Sequence, residues 1–214
     1  MRLVTVVIAM LVVAGVAVAA NPRDPKKVII PAVQAKAKAI NVHISDLPAG
    51  DWTAKPAGPD KGTPKCSYYN PNQSDLTENG DANSPQLTAP SGAFVSSSTS
   101  IFKTAAQGRT AYKRVVQPKL PKCLAQLFAK GAGKGITNLT AVEIPFPKQA
   151  ERSNAYRISA DFNNASGSIA IFLDVVVFNR GKVDTVIFFA GIGHPFTDAV
   201  EQSVAGKVAA RAKA

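Results

Sequence analysis

The chain of 214 residues carries 25 Lys and Arg against 14 Asp and Glu, giving a formal net charge of +11 and a pI near 9.8. Its 46% of hydrophobic residues suffice for a packed core, which excludes wholesale disorder and allows one ample domain or two small ones. Two His and two Cys are too few for a zinc centre built from several such ligands.

Residues 1–20 hold one Arg and then an apolar run that closes on Ala17-Val18-Ala19-Ala20, small residues where a signal peptidase cuts. The reading is a cleaved signal peptide. The alternative is an uncleaved N-terminal anchor, since the run is just long enough to span a bilayer. Either way the protein is expected to be secreted or extracytoplasmic. In that oxidising setting the even cysteine count favours a Cys66–Cys123 disulfide, with a pair of buried thiols as the alternative. The bridge would close a loop of about 58 residues, worth on the order of 4 kcal/mol.

Along the chain, residues 21–32 combine Pro22, Pro25 and Pro31 with Lys26-Lys27, the composition of a flexible tether. Residues 33–214 are expected to form a single α+β domain. A short helix is predicted over 33–40, a turn at Asp46-Leu47-Pro48-Ala49-Gly50, and a short strand from Trp52. Residues 56–85, rich in Pro, Gly, Asn and Asp, read as irregular loops pinned at Cys66. A strand follows over 92–103. Leu120, Cys123, Leu124, Leu127 and Phe128 make one stripe of an amphipathic helix over 119–130, and 105–116 carries a similar stripe. Pro118 and Pro121 separate or kink these two helices.

Alternation predicts strands over 139–146 and 154–162. The runs 168–178 and 183–190 form a hairpin through Asn179-Arg180-Gly181-Lys182, and the first run, apolar on both faces, is a central strand. Asp198, with Glu201 three residues on, reads as a capping box opening the last helix. The expected fold is α+β: an antiparallel sheet of about five to six strands with helices packed on it and one disulfide.

Catalytic motifs are missing: neither G-x-S-x-G nor H-E-x-x-H occurs, and Gly131 to Thr137 follows a helix with the wrong spacing for a phosphate loop. No catalytic residue, metal or cofactor is expected. The competing enzyme reading is a hydrolase pairing His194 with Asp174 or Asp184. Set against it is a plain loop histidine, and an Asp satisfied by Arg157 or a backbone N–H. Charge is more informative. Residues 105–135 contain seven Lys and Arg and no acid. Arg109, Lys113, Arg114, Lys119 and Lys122 form a candidate anion-binding face whose partner would be an anionic cell-wall polymer or a membrane surface. A merely solvated face is the alternative. Nucleic acid is not expected, because few aromatic residues interleave with the charge. A third reading is a lipid carrier using the sheet's apolar faces.

Several segments together resemble a family. Asp46-Leu47-Pro48-Ala49-Gly50-Asp51-Trp52 resembles a D-L-P-x-G-W entry motif; Cys66, a Ser-rich strand at 94–100, an Ala-rich helix reaching Cys123, and a last helix ending in Ala210-Arg211 follow in order. The set, spanning about residues 40–214, is similar to the extracellular sensor domains of PknH-type Ser/Thr kinases and their secreted relatives. The resemblance implies an α+β domain with a curved antiparallel sheet, a ligand-binding cleft and no catalytic residues. This chain has one cysteine pair where the family has two, and no attached kinase. On this reading the cleft lies between the sheet and the 105–130 helices, edged by Arg109, Lys113 and Lys122.

Overall fold

The computed structural model describes residues 21–58, 62–165 and 167–213. The signal-peptide reading falls on residues 1–20, outside the described residues. Among the described residues no helix is long and apolar enough to cross a membrane.

Nine strands join in one mixed sheet. They are β1 (Lys26–Lys27), β2 (Thr53–Lys55), β3 (Thr77–Asn83), β4 (Gln86–Thr88), β5 (Phe94–Phe102), β6 (Ile136–Ile144), β7 (Arg152–Asn164), β8 (Gly167–Arg180) and β9 (Val183–Ile192). Their order is β1-β3-β5-β9-β8-β7-β6, with β4 also on β5 and β2 on β4. The helices are α1 (Pro31–Ile40), α2 (Ala105–Val115), α3 (Leu120–Ala132) and α4 (Asp198–Arg211).

The α+β class and the single disulfide agree with the expectation, but the sheet is larger than five to six strands and not purely antiparallel. The parallel pair is β1 with β3, Lys26 facing Thr77 and Lys27 facing Glu78. The tether reading needs correcting with it. Lys26, Val28 and Ile30 donate their N–H groups to Leu76, Glu78 and Asn79 carbonyls, so the segment runs along the sheet edge. Pro22 and Pro25 disfavour a helix before residue 31, but not an extended edge strand, and Pro31 opens α1 as a first-turn proline. β3 was hidden for another reason. Its sequence, Thr-Glu-Asn-Gly-Asp-Ala-Asn, has almost no strand formers, and pairing with β5 holds it extended. Gly80 matters there, because a Cβ would stand 2.7 Å from the Val33 carbonyl oxygen of α1.

Helices cover both faces of the sheet. On one face α1 and α4 bury Ile40, Val204 and Val208 against Val95, Ile101, Phe178, Ile187 and Phe189. On the other, α2 and α3 set Tyr112, Leu120, Leu124 and Phe128 against Tyr156, Ile158, Val175 and Val177. Strand β8 feeds both cores, as its two apolar faces predicted. These side chains pack in the space between the sheet and α2–α3 where the cleft was expected.

The D-L-P segment and the Ala210-Arg211 end meet in three dimensions. Arg211 NH1 and NH2 donate to Asp46 Oδ1 and Oδ2 at 2.9 and 2.7 Å, and NH2 also reaches the Asn41 carbonyl at 2.8 Å. Burial pushes the Asp46 carboxyl up, yet these bonds and the His43 N–H leave it below the usual carboxylate range. Trp52 donates its indole N–H to Pro48 and stacks on Phe196. These residues form a clasp between α1, the turn after it and α4.

Candidate functional site

Arg157 and Asp174 face each other across β7 and β8. Arg157 donates from Nε and NH2 to Asp174 Oδ1 and Oδ2 at 2.7 and 2.6 Å, as the alternation allowed. From α4, Glu201 comes down on the same pair and is 1% exposed. Burial, together with the neighbouring Asp174 carboxylate, pushes the Glu201 carboxyl up to about 9. Glu201 therefore holds its proton at neutral pH beside the Asp174 carboxylate, while its Oε1 has no hydrogen-bond partner among the described residues. The capping-box reading of Asp198 and Glu201 is corrected here. Thr197 is the N-cap, without a side-chain cap bond, and Glu201 points into the sheet.

Asp184 lies on the opposite sheet face, because β8 and β9 set Asp174 against Phe189 and Asp184 against Asn179. It accepts from Asn179 Nδ2 at 2.6 Å, and burial holds its carboxyl well above the usual range. His194 is exposed in the β9–α4 loop, with Nδ1 3.0 Å from the Pro195 carbonyl oxygen. The structure thus brings His194 to neither aspartate. Among the described residues no group of three or more His, Cys, Asp or Glu is placed to hold a metal ion.

The basic residues divide into committed and uncommitted charges. Arg114 is committed: it forms a bidentate pair with Asp75, NH2 to Oδ2 at 3.1 Å, and donates to the Asn72 carbonyl. Its guanidinium in turn holds the Asp75 carboxyl below its usual range. Arg109, Lys113, Lys119 and Lys122 form no salt bridge to any described carboxylate. Lys119, the N-cap of α3, and Lys122 and Lys130 within it lie three and eight residues apart on one side of the helix, at the edge of the buried stripe, where Lys130 is seven residues after Cys123. The Lys122 ammonium sits over the Tyr68 ring, 5.1 Å from its centroid.

A shallow depression of about 380 Å³ opens beside these residues, lined by Lys65, Cys66, Ser67, Asn70, Gln126, Leu127 and Lys130. The disulfide makes it. Cys66 and Cys123, with Cα atoms 5.8 Å apart, press the loop against α3. Within that loop Cys66 and Tyr69 exchange backbone hydrogen bonds at 2.7 and 3.1 Å, and the Tyr69 hydroxyl donates to the Val115 carbonyl at 2.6 Å. Arg23 and Asn21 hold Asn70 from outside. No carboxylate lines the depression, and neither Lys65 nor Lys130 has a salt-bridge partner among the described residues. Lys65, Asn70 and Gln126 were not singled out in sequence. Their signal was indirect: a bridge from Cys66 to Cys123 must carry 65–70 onto α3.

No protein-family model matches this chain, and searches of curated proteins and of solved structures found no significant match.

Proposed function

We propose that this protein is a non-enzymatic binding module of the cell envelope that recognises an anionic polymer through α2, α3 and the 65–70 loop. One observation carries the reading: Lys65, Lys113, Lys119, Lys122 and Lys130 gather on these elements without a carboxylate partner among the described residues. Uncompensated surface charge of one sign raises the local concentration of counter-charged ligands and speeds their encounter. The resemblance to extracellular sensor domains supports a binding role without catalysis. A polymer is favoured over a lipid surface because Leu127 is the one large exposed apolar residue on these helices among the described residues, and an interfacial helix needs a whole apolar face.

Equilibrium binding to poly(glycerol phosphate) over a range of salt tests this reading. Affinity should fall steeply between low and physiological ionic strength. The triple variant Lys119→Gln, Lys122→Gln, Lys130→Gln should bind about ten-fold more weakly at low salt. Salt-independent binding would overturn the proposal, as would capture by anionic phospholipid vesicles without capture by the polymer.

A further inference from the structure

We infer that the depression between the 65–70 loop and α3 seats one acidic sugar unit, with its anionic group held by Lys65 and Lys130 and its ring against Leu127. This rests on the polymer-binding reading and names the chemistry of the unit it recognises. The lining argues for a sugar acid over simpler ligands. A volume of about 380 Å³ is at the lower end of small-molecule sites, enough for a substituted ring and more than a bare anion fills. Two ammonium groups supply the charge. Asn70 supplies oriented donors: its Oδ1 is taken by Asn21 Nδ2 at 3.1 Å, so its NH2 hydrogens remain for a ligand. Gln126 can donate to and accept from hydroxyl groups, and Ser67 adds one hydroxyl of its own. Leu127, 38% exposed, and the disulfide give the apolar patch that the C–H face of a pyranose covers. An acyl chain would find only Leu127 and the disulfide to lie against, and a neutral sugar would make no use of the two ammonium groups.

The wall is also fixed before a ligand arrives. The disulfide, the paired Cys66 and Tyr69 backbones, and the Tyr69 hydroxyl on Val115 hold the loop, while Arg23 NH1 fastens the Asn70 carbonyl at 3.0 Å. Such rigidity lowers the ordering cost of binding, which matters for a small ligand in an open site.

The test is calorimetric titration of the whole protein at constant ionic strength with trigalacturonate, glucose 6-phosphate, maltotriose and inorganic phosphate. Binding of either or both acidic sugars at least ten-fold tighter than maltotriose and phosphate supports the inference. Which of the two binds identifies carboxylate or phosphate as the recognised group. Lys65→Gln with Lys130→Gln should abolish that difference, whereas Lys38→Gln with Lys182→Gln, exposed lysines on α1 and the β8–β9 turn, should preserve it. Phosphate binding as tightly as the sugars would reduce the site to a bare anion site and overturn the inference. Equal binding of maltotriose, or no effect of the Lys65 and Lys130 changes, would overturn it too. The underlying reading fails separately: if poly(glycerol phosphate) binds wild type while neither acidic sugar binds better than maltotriose, the sugar pocket falls and the polymer-binding face stands. If no polyanion binds wild type, both fall.

Discussion

Glu201 carries more charge chemistry than any other single residue outside the basic face. Its carboxyl titrates near 4.5 when solvated but at about 9 in the fold, so between those values the folded chain holds a proton that the unfolded chain has lost. Stability from this group is therefore complete below about pH 4.5 and is lost as pH rises toward 9. Glu201→Gln keeps a donor for Asp174 and removes the titration. Melting curves of the variant and wild type should coincide near pH 4.5 and separate upward, with the variant increasingly the more stable toward pH 8. Parallel curves across that range would show that Glu201 is ionised in the fold. The Arg157–Asp174 pair was legible in the sequence, since alternation puts both on one sheet face. Glu201 was hidden by a coincidence of spacing: Asp198 and Glu201 mimic a capping box. Its position three, four and seven residues before Val204, Ala205 and Val208, all fully buried, was the truer signal.

At the level of elements, the 65–70 loop and α3 act as one unit because of Cys66–Cys123. Replacing both cysteines by serine should lower stability by about 4 kcal/mol, the loop-closure value for a bridge of this span. The same change should weaken binding of acidic ligands more than it weakens general attraction to a polyanion, because it frees Lys65 and Asn70 while leaving the α3 lysines in place. Calorimetry of the double serine variant at a temperature where it remains folded measures both effects. Unchanged acidic-ligand affinity would mean the loop contributes nothing. The two amphipathic helices and the four C-terminal strands were readable from local periodicity. The elements β1, β3 and β4 were not: they are short or polar, and what extends β1 and β3 is pairing with residues 15 to 51 positions away, about which a local pattern is silent.

For the whole molecule, the decisive feature is how charge and packing divide the surface. Helices pack on both faces of the sheet, and side chains under α2 and α3 occupy the place where the sequence suggested a cleft. The binding capacity moves outward, to a rim made by a disulfide-fastened loop and the solvent side of α3. The concentration of positive charge in residues 105–135 was visible in the sequence. Its partition was not, because the Asp75 that neutralises Arg114 and the loop that adds Lys65 are distant in the chain. Amide chemical shifts of the isotope-labelled protein during titration with poly(glycerol phosphate) at low salt test this account most directly. It predicts that the perturbed amides cluster at residues 65–70 and along α3 from Lys119 to Lys130, and that added salt reverses the shifts. Perturbations centred on α4 or the β6 edge, with the loop and α3 unmoved, would contradict it.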